Sequence, residues 1–210
     1  GFITAMQARY GGTRLGRQEL DGELIEDRED ALWNREMLER LRVRNPGPLS
    51  RIVVAVDPPV AERAKNSCCG ILVAGLEASG RAVVLADPSV ANASPNAWGE
   101  AVVRAVRRFQ ADRVVAEVNQ DGDMVATILR SIEPVRATRG KFTRAEPVAA
   151  LYEQGRVVHA GTFPALEDQM CDFGPDGLSG GGSPDRLDAL VWALTNLMLG
   201  VQSEPRVRGM

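Results

Sequence analysis

At 210 residues, with 44% apolar and 25% charged side chains, the chain has the length of one ordinary domain plus an appendage and enough apolar content for a packed core. No run of about 18 apolar residues occurs, so neither a membrane span nor a membrane partner is expected. A formal net charge of −3 excludes a broadly basic nucleic-acid binder, so any such binding must rest on a local basic surface.

The opening GFITAMQARYGG has neither an initiator Met nor the layout of a signal peptide, and it reads as the start of a fragment of a longer, intracellular protein. Cysteines are few (Cys68, Cys69 and Cys171), and no C-x-x-C spacing is present. This fits a reducing compartment. His159 is the one histidine, so a multi-histidine metal site is excluded. It sits in the strand-like run GRVVHAG and reads as a packed or surface strand residue. If the chain is an enzyme, carboxylates must do the work.

Residues 1–50 are rich in charge and read as loop followed by helix, with Leu32, Trp33, Met37, Leu38 and Leu41 at helical spacing. RNPGPLS then breaks the chain and marks a boundary. Ile52–Val56 is a continuous β-branched and apolar run, as a strand buried on both faces requires. CCGILVAGLE and RAVVLADPSV follow as two more strands joined by the turn ASG. SPNAWGEAVVRAVRRFQA predicts an amphipathic helix on Trp98, Ala101, Val102, Ala105, Val106 and Phe109. DRVVAEVN predicts a buried strand, GDMVATILRSIE a helix, PVRAT a short strand, TRAEPVAALYEQG a helix, RVVHA a strand and FPALEDQMCDF a short helix. GPDGLSGGG reads as a flexible loop before the final helix SPDRLDALVWALTNLML, and VQSEPRVRGM (201–210) as a tail. The order, a meander of three strands followed by alternating helices and strands, predicts an α/β fold with a mixed sheet, partly antiparallel and partly parallel, flanked by helices.

Asp57 ends the first buried strand and Glu117 ends the strand in VVAEVN. A carboxylate at the edge of an apolar strand is costly unless it is paired or binds metal. Alone, Asp57 before Pro58-Pro59 also reads as a turn cap. Asp185 is open to a similar reading: Ser183 as N-cap, Pro184 as first helical residue and Asp185 as a first-turn charge. That reading does not explain Asp188, three positions on and on the same face, beside the core stripe Leu187, Leu190, Val191, Leu194 and Leu197. Arg186 is a candidate partner for it. If the strands ending in Asp57 and Glu117 are parallel neighbours, a helix across their C-terminal ends brings all four acids together. Clustered carboxylates repel and call for divalent ions. All-oxygen donors suit Mg²⁺ or Mn²⁺, and two such ions about 3.5–4 Å apart hydrolyse phosphodiesters without histidine.

VAVDPP, VVAEVNQDGDMV and SPDRLDALVWAL, in this order and spacing, resemble the nuclease domain of large terminase subunits, the DNA-packaging motors of tailed phages and gene transfer agents. The resemblance covers about residues 51–200. It implies an RNase H-like fold, similar to that of Holliday-junction resolvases, and an endonuclease that cuts double-stranded DNA with little sequence preference at the start and end of packaging. Asp57, Glu117 and Asp185 match the family's metal-binding triad, and Asp188 matches a fourth carboxylate of resolvase-type relatives. Two Mg²⁺ or Mn²⁺ ions are implied. Some terminases carry a histidine or a second aspartate just before the Asp185 position, where this chain has Pro184. The leading GTRLGRQELDGELIEDREDALW is similar to the stretch that joins the terminase ATPase to its nuclease. Residues 1–50 are thus expected to follow an ATPase domain that lies outside this sequence. GGTRLGRQ departs from a phosphate loop at Arg17 and Gln18 and is rejected as one, so no ATP hydrolysis is expected. The implied partners are double-stranded DNA, the ATPase domain, the small terminase subunit and the portal protein, in the host cytoplasm at the capsid portal.

VRATRGKFTRAE carries Arg136, Arg139, Lys141 and Arg144 with no acid between Glu133 and Glu146. It reads either as a solvated loop or as a phosphate-gripping element beside the acidic site. A second run, Arg104, Arg107, Arg108 and Arg113, reads as an exposed helix face. The other readings of the chain are a resolvase- or transposase-type nuclease of the same fold, a catalytically silent portal-docking module and, more distantly, an actin-like ATPase.

Overall fold

The computed structural model describes residues 27–59, 68–117 and 133–200. The helix expected over GDMVATILRSIE, except its last residue Glu133, and the tail at 201–210 lie outside the described residues.

Nine strands are described: β1 (Leu49–Asp57), β2 (Cys68–Glu77), β3 (Ala82–Ala86), β4 (Val90–Ala91), β5 (Arg113–Glu117), β6 (Glu133–Val135), β7 (Val157–His159), β8 (Phe173–Gly174) and β9 (Gly177–Leu178). The described helices are α1 (Arg35–Arg40), α2 (Pro95–Phe109), α3 (Lys141–Glu153), α4 (Pro164–Asp172) and α5 (Asp185–Leu194), the last running into a π-turn, Thr195–Leu199. The main sheet has the order β6-β5-β1-β2-β3-β7, with β4 paired to β2. β1, β2 and β3 form the expected antiparallel meander, and β5, β6 and β7 pair parallel to β1, β5 and β3 respectively. This is the mixed α/β sheet, with helices on both faces, that the sequence predicts.

Side chains alternate across a strand, so the apolar runs feed two cores. Val54, Val56, Ile71, Val73 and Ala116 pack under Trp98, Ala101, Val102 and Ala105 of α2. Val53, Ala55, Leu72, Ala74 and Val115 point to the other face, where α3, α4 and α5 supply Val148, Tyr152, Leu166, Met170, Leu187, Leu190 and Leu194. α5 lies in the middle of that second layer and is buried along nearly its whole length. Each fully buried leucine on it contributes on the order of 2 kcal/mol to docking.

Several local expectations change. The helix near residue 35 is one short element. Asn34 caps it by accepting the Met37 N–H at 2.8 Å, so Leu32 and Trp33 precede the helix instead of lying on it. Trp33 is buried edge-on against Tyr152, and Leu38 and Leu41 enter the same core. The run expected as a flexible loop contains the β8–β9 hairpin, held by Arg28 donating to the Gly177 carbonyl at 2.7 Å and by Asp172 accepting from Ser179. The strand expected at PVRAT is Glu133–Val135, and the next helix starts at Lys141, two residues earlier than TRAEP. Arg104, Arg107 and Arg108 are exposed on α2 as expected, but Arg113 opens β5 and pairs with Glu133. No described helix is long and apolar enough to cross a membrane.

Candidate metal centre

Asp57 and Glu117 are the last residues of β1 and β5. The parallel register pairs Val56 with Ala116, so these two acids come next, side by side at the C-terminal edge of the sheet. Their alternation phase is that of Val53, Ala55 and Val115, so both carboxylates point to the face that α5 covers. Both are buried.

The start of α5 crosses this edge. Gly70 of β2 sits opposite Asp57, and a Cβ built on Gly70 would lie 1.9 Å from the Asp185 carbonyl oxygen. Only the missing side chain lets the helix start lie directly on the strand. Asp185, Asp188 and Trp192, at i, i+3 and i+7, then share the helix face turned toward the acids.

Ser183 does not cap this helix: Pro184 takes the cap position, outside the helical region at φ −82° and ψ 56°, and no side chain caps it. The Ser183 hydroxyl instead accepts from Lys141 Nζ at 2.9 Å and bonds the Asp185 carboxylate. Arg186 does not pair with Asp188 either. It turns away to Asp87, at 3.0 Å, with Cys68 Sγ at 3.4 Å from its other arm. Residues two positions apart on a helix do not face each other, so the pairing was geometrically unfavourable.

The partners of Asp188 are Lys141, bonded to Oδ2, and Arg144, with Nη2 at 3.5 Å from Oδ1. Arg144 Nη1 also lies 3.5 Å from Glu117 Oε2, and that oxygen accepts the Trp192 indole N–H at 2.7 Å. The Arg144 guanidinium stacks 4.6 Å over the Trp192 ring. Burial pushes the Asp57 carboxyl well up from its ordinary value, and repulsion from Asp188 and Glu117 adds to this. Burial also raises Asp185 and Asp188, against the opposing pull of Lys141.

The four predicted acids are thus brought together from two strand ends and one helix, with Lys141 and Arg144 supplying balancing charge. Arg136 and Arg139 stay exposed between β6 and α3. Among the described residues, no three histidine, cysteine, aspartate or glutamate side chains converge closely enough to hold an ion as they stand. The donor chemistry nevertheless fits a hard divalent cation: the oxygens are carboxylate, buried and mutually repelling. Lys141 and Arg144 would share that charge balance. His159 is fully buried and remote in role, bonded to Tyr152 Oη at 2.8 Å and to Glu167 at 3.2 Å.

The sequence reading passed over two residues of the site. Gly70 was legible in principle, since a glycine inside an apolar strand flags a close backbone approach. Trp192 was legible only as a helix-face neighbour of Asp188; nothing local ties it to Glu117.

No curated protein sequence matches the chain. Solved structures with the same fold include the large terminase of bacteriophage HK97, with 13% identity, a TM-score of 0.54 and coverage of 79% of this chain. The large terminase nuclease of thermophilic phage G20c aligns at 13% identity and a TM-score of 0.57, over 79% of this chain and 98% of its own. The human cytomegalovirus terminase nuclease domain aligns at 15% identity and a TM-score of 0.54, over 76% of this chain and 91% of its own. The chain spans 43% of the HK97 protein, and 44% of the large terminase of another thermophilic bacteriophage with this fold. The sequence description of the terminase RNaseH-like domain matches residues 54–197, a range that takes in both strand-end acids and all of α5. On that match the chain belongs to the terminase RNaseH-like domain family.

Proposed function

We propose that this chain is a metal-dependent endonuclease domain of a large terminase subunit, which cuts double-stranded DNA with little sequence preference when genome packaging starts and ends. The family supports a nuclease role in DNA packaging. The observation that carries the finer reading is the convergence of Asp57, Glu117, Asp185 and Asp188 at one edge of the sheet, with Asp57 buried among like charges.

In this reading Asp57, Glu117 and Asp185 would hold the ions, and Asp188 would complete or support the site. Bound Mg²⁺ or Mn²⁺ supplies an activated water and stabilises the leaving oxygen of the phosphodiester. The protein's own contribution is to hold the acids in place and exclude bulk water from the strand ends. Exposed Arg136 and Arg139 grip phosphates on the way in. Lys141 and Arg144, predicted as DNA contacts, lie close enough to the acids to meet a phosphate at the site itself. Such a domain works with an ATPase domain, a small subunit and a portal, in the host cytoplasm.

The test is plasmid cleavage with Mn²⁺, Mg²⁺ or EDTA, beside Asp57→Ala. Nicking and linearisation that vanish in EDTA and in the variant support the reading. No cleavage together with no Mn²⁺ uptake by calorimetry overturns it. A preference for branched over linear DNA would turn it toward a resolvase.

A further inference from the structure

We propose that Trp192 and Arg144 are positioning residues of the acidic site, which together fix which oxygen of Glu117 faces it and how far Glu117 stands from Asp188. The proposal rests on the metal-dependent reading above. Three observations carry it. First, the Trp192 indole N–H at 2.7 Å and Arg144 Nη1 at 3.5 Å approach the same oxygen of Glu117, Oε2, and neither uses Oε1. An indole N–H is donor only and uncharged, so it orients the carboxylate without neutralising it or ligating a cation. Second, Arg144 spans the two elements: its other arm lies 3.5 Å from Asp188 Oδ1, so one rigid fork sets the spacing between the end of β5 and the first turn of α5. Third, the two positioning groups hold each other through the stacking of the guanidinium on the indole at 4.6 Å.

The arrangement is kept at a cost. Arg144 Nε is buried without a hydrogen-bond partner, which is unfavourable. A side chain serving only solubility would turn that group to water. Here it stays inward, and both Nη atoms reach acids. Groups that hydrogen-bond a ligating carboxylate set its orientation, and losing one typically weakens metal affinity about 10- to 100-fold.

The experiment is Mn²⁺ titration calorimetry on the full chain, with wild type, Trp192→Phe and Arg144→Lys, beside thermal melts of each in EDTA. Trp192→Phe keeps an aromatic ring for stacking and removes the N–H. Arg144→Lys keeps the charge and removes the fork. The expected result is about a 10-fold or greater weakening of Mn²⁺ binding in each variant that melts cooperatively in EDTA. If Trp192→Phe fails to fold, Arg144→Lys decides. Wild-type Mn²⁺ affinity, or tighter, in the folded variants overturns the proposal and leaves the nuclease reading intact. No Mn²⁺ uptake by the wild-type chain overturns both.

Discussion

Gly70 and Asp185 are in contact through their backbones, and this contact sets where the last helix begins. A methyl group on Gly70 would have to occupy space 1.9 Å from the Asp185 carbonyl oxygen, and the obstructing atoms are backbone, which cannot rotate away. Gly70→Ala is therefore expected to push the start of α5 off β2 and carry Asp185 and Asp188 away from Asp57. Destabilisation of about 2 kcal/mol is expected from the forced shift. Melting curves and Mn²⁺ affinity check it. A variant with the stability and affinity of wild type would mean the helix start is not seated on the strand.

Burial beside Asp188 and Glu117 makes the charged form of Asp57 unfavourable to the fold. Its carboxyl is held above its ordinary value, so the charged form weakens the metal-free fold near neutral pH. Asp57→Asn should raise stability in EDTA by about 1 kcal/mol, or roughly 3 °C, while abolishing metal-dependent cleavage. For a raised carboxyl, the folded state binds the proton more tightly than the unfolded chain does. The wild-type disadvantage should therefore shrink as pH falls from above the raised folded value toward the ordinary 3.8. Paired melts of wild type and variant at several pH values test the sign.

Arg42, Glu167, His159 and Tyr152 lock residues before β1 onto the sheet. Arg42 forks onto Glu167 with both contacts at 2.8 Å, and Glu167 is almost fully buried. An ionised carboxylate only accepts, so the proton between it and His159 sits on Nδ1, and Nε2 at the other end of the ring bonds the Tyr152 hydroxyl. Arg42→Met strands a buried carboxylate and should cost about 3–5 kcal/mol in chemical denaturation.

Acid unfolding should report the same lock. Burial opposes the charge on Glu167, but bonds from His159 and Arg42 outweigh it and hold the carboxyl at about 2. A depressed carboxyl contributes stability that is full above its ordinary value of 4.5 and is lost as pH falls toward about 2. Glu167→Gln should be less stable than wild type at pH 7, with the gap closing across that window. A gap independent of pH would assign the loss to packing alone.

Arg136 and Arg139 are exposed between β6 and α3. Replacing both with Ala should leave the melting temperature unchanged. Duplex binding, followed by fluorescence anisotropy across salt concentrations, should weaken uniformly across sequences, and the slope of log affinity against log salt should fall by roughly 2. An unchanged slope would return them to ordinary solvated residues.

The apolar runs at Ile52–Val56 and Ile71–Ala74 determined that β1 and β2 are central, because only a strand covered on both faces needs such sequences. The strand ends at Asp57 and Glu117, and the helix-face spacing of Asp185 and Asp188, were equally legible, since both follow from local periodicity. The tertiary structure alone decided what those acids meet. Lys141 and Arg144 read as part of a solvated loop or of a phosphate-gripping element, and α3 starts early enough to aim both at Asp188. Arg186 was one candidate partner for Asp188, and the helix turns it toward Asp87. The pairing of Trp192 with Glu117 joins residues 75 positions apart. Hydrophobic period acts within a few residues and so is written in the sequence. The direction of a buried charge depends on which distant groups the packed layers bring within hydrogen-bond reach, and no local pattern carries that.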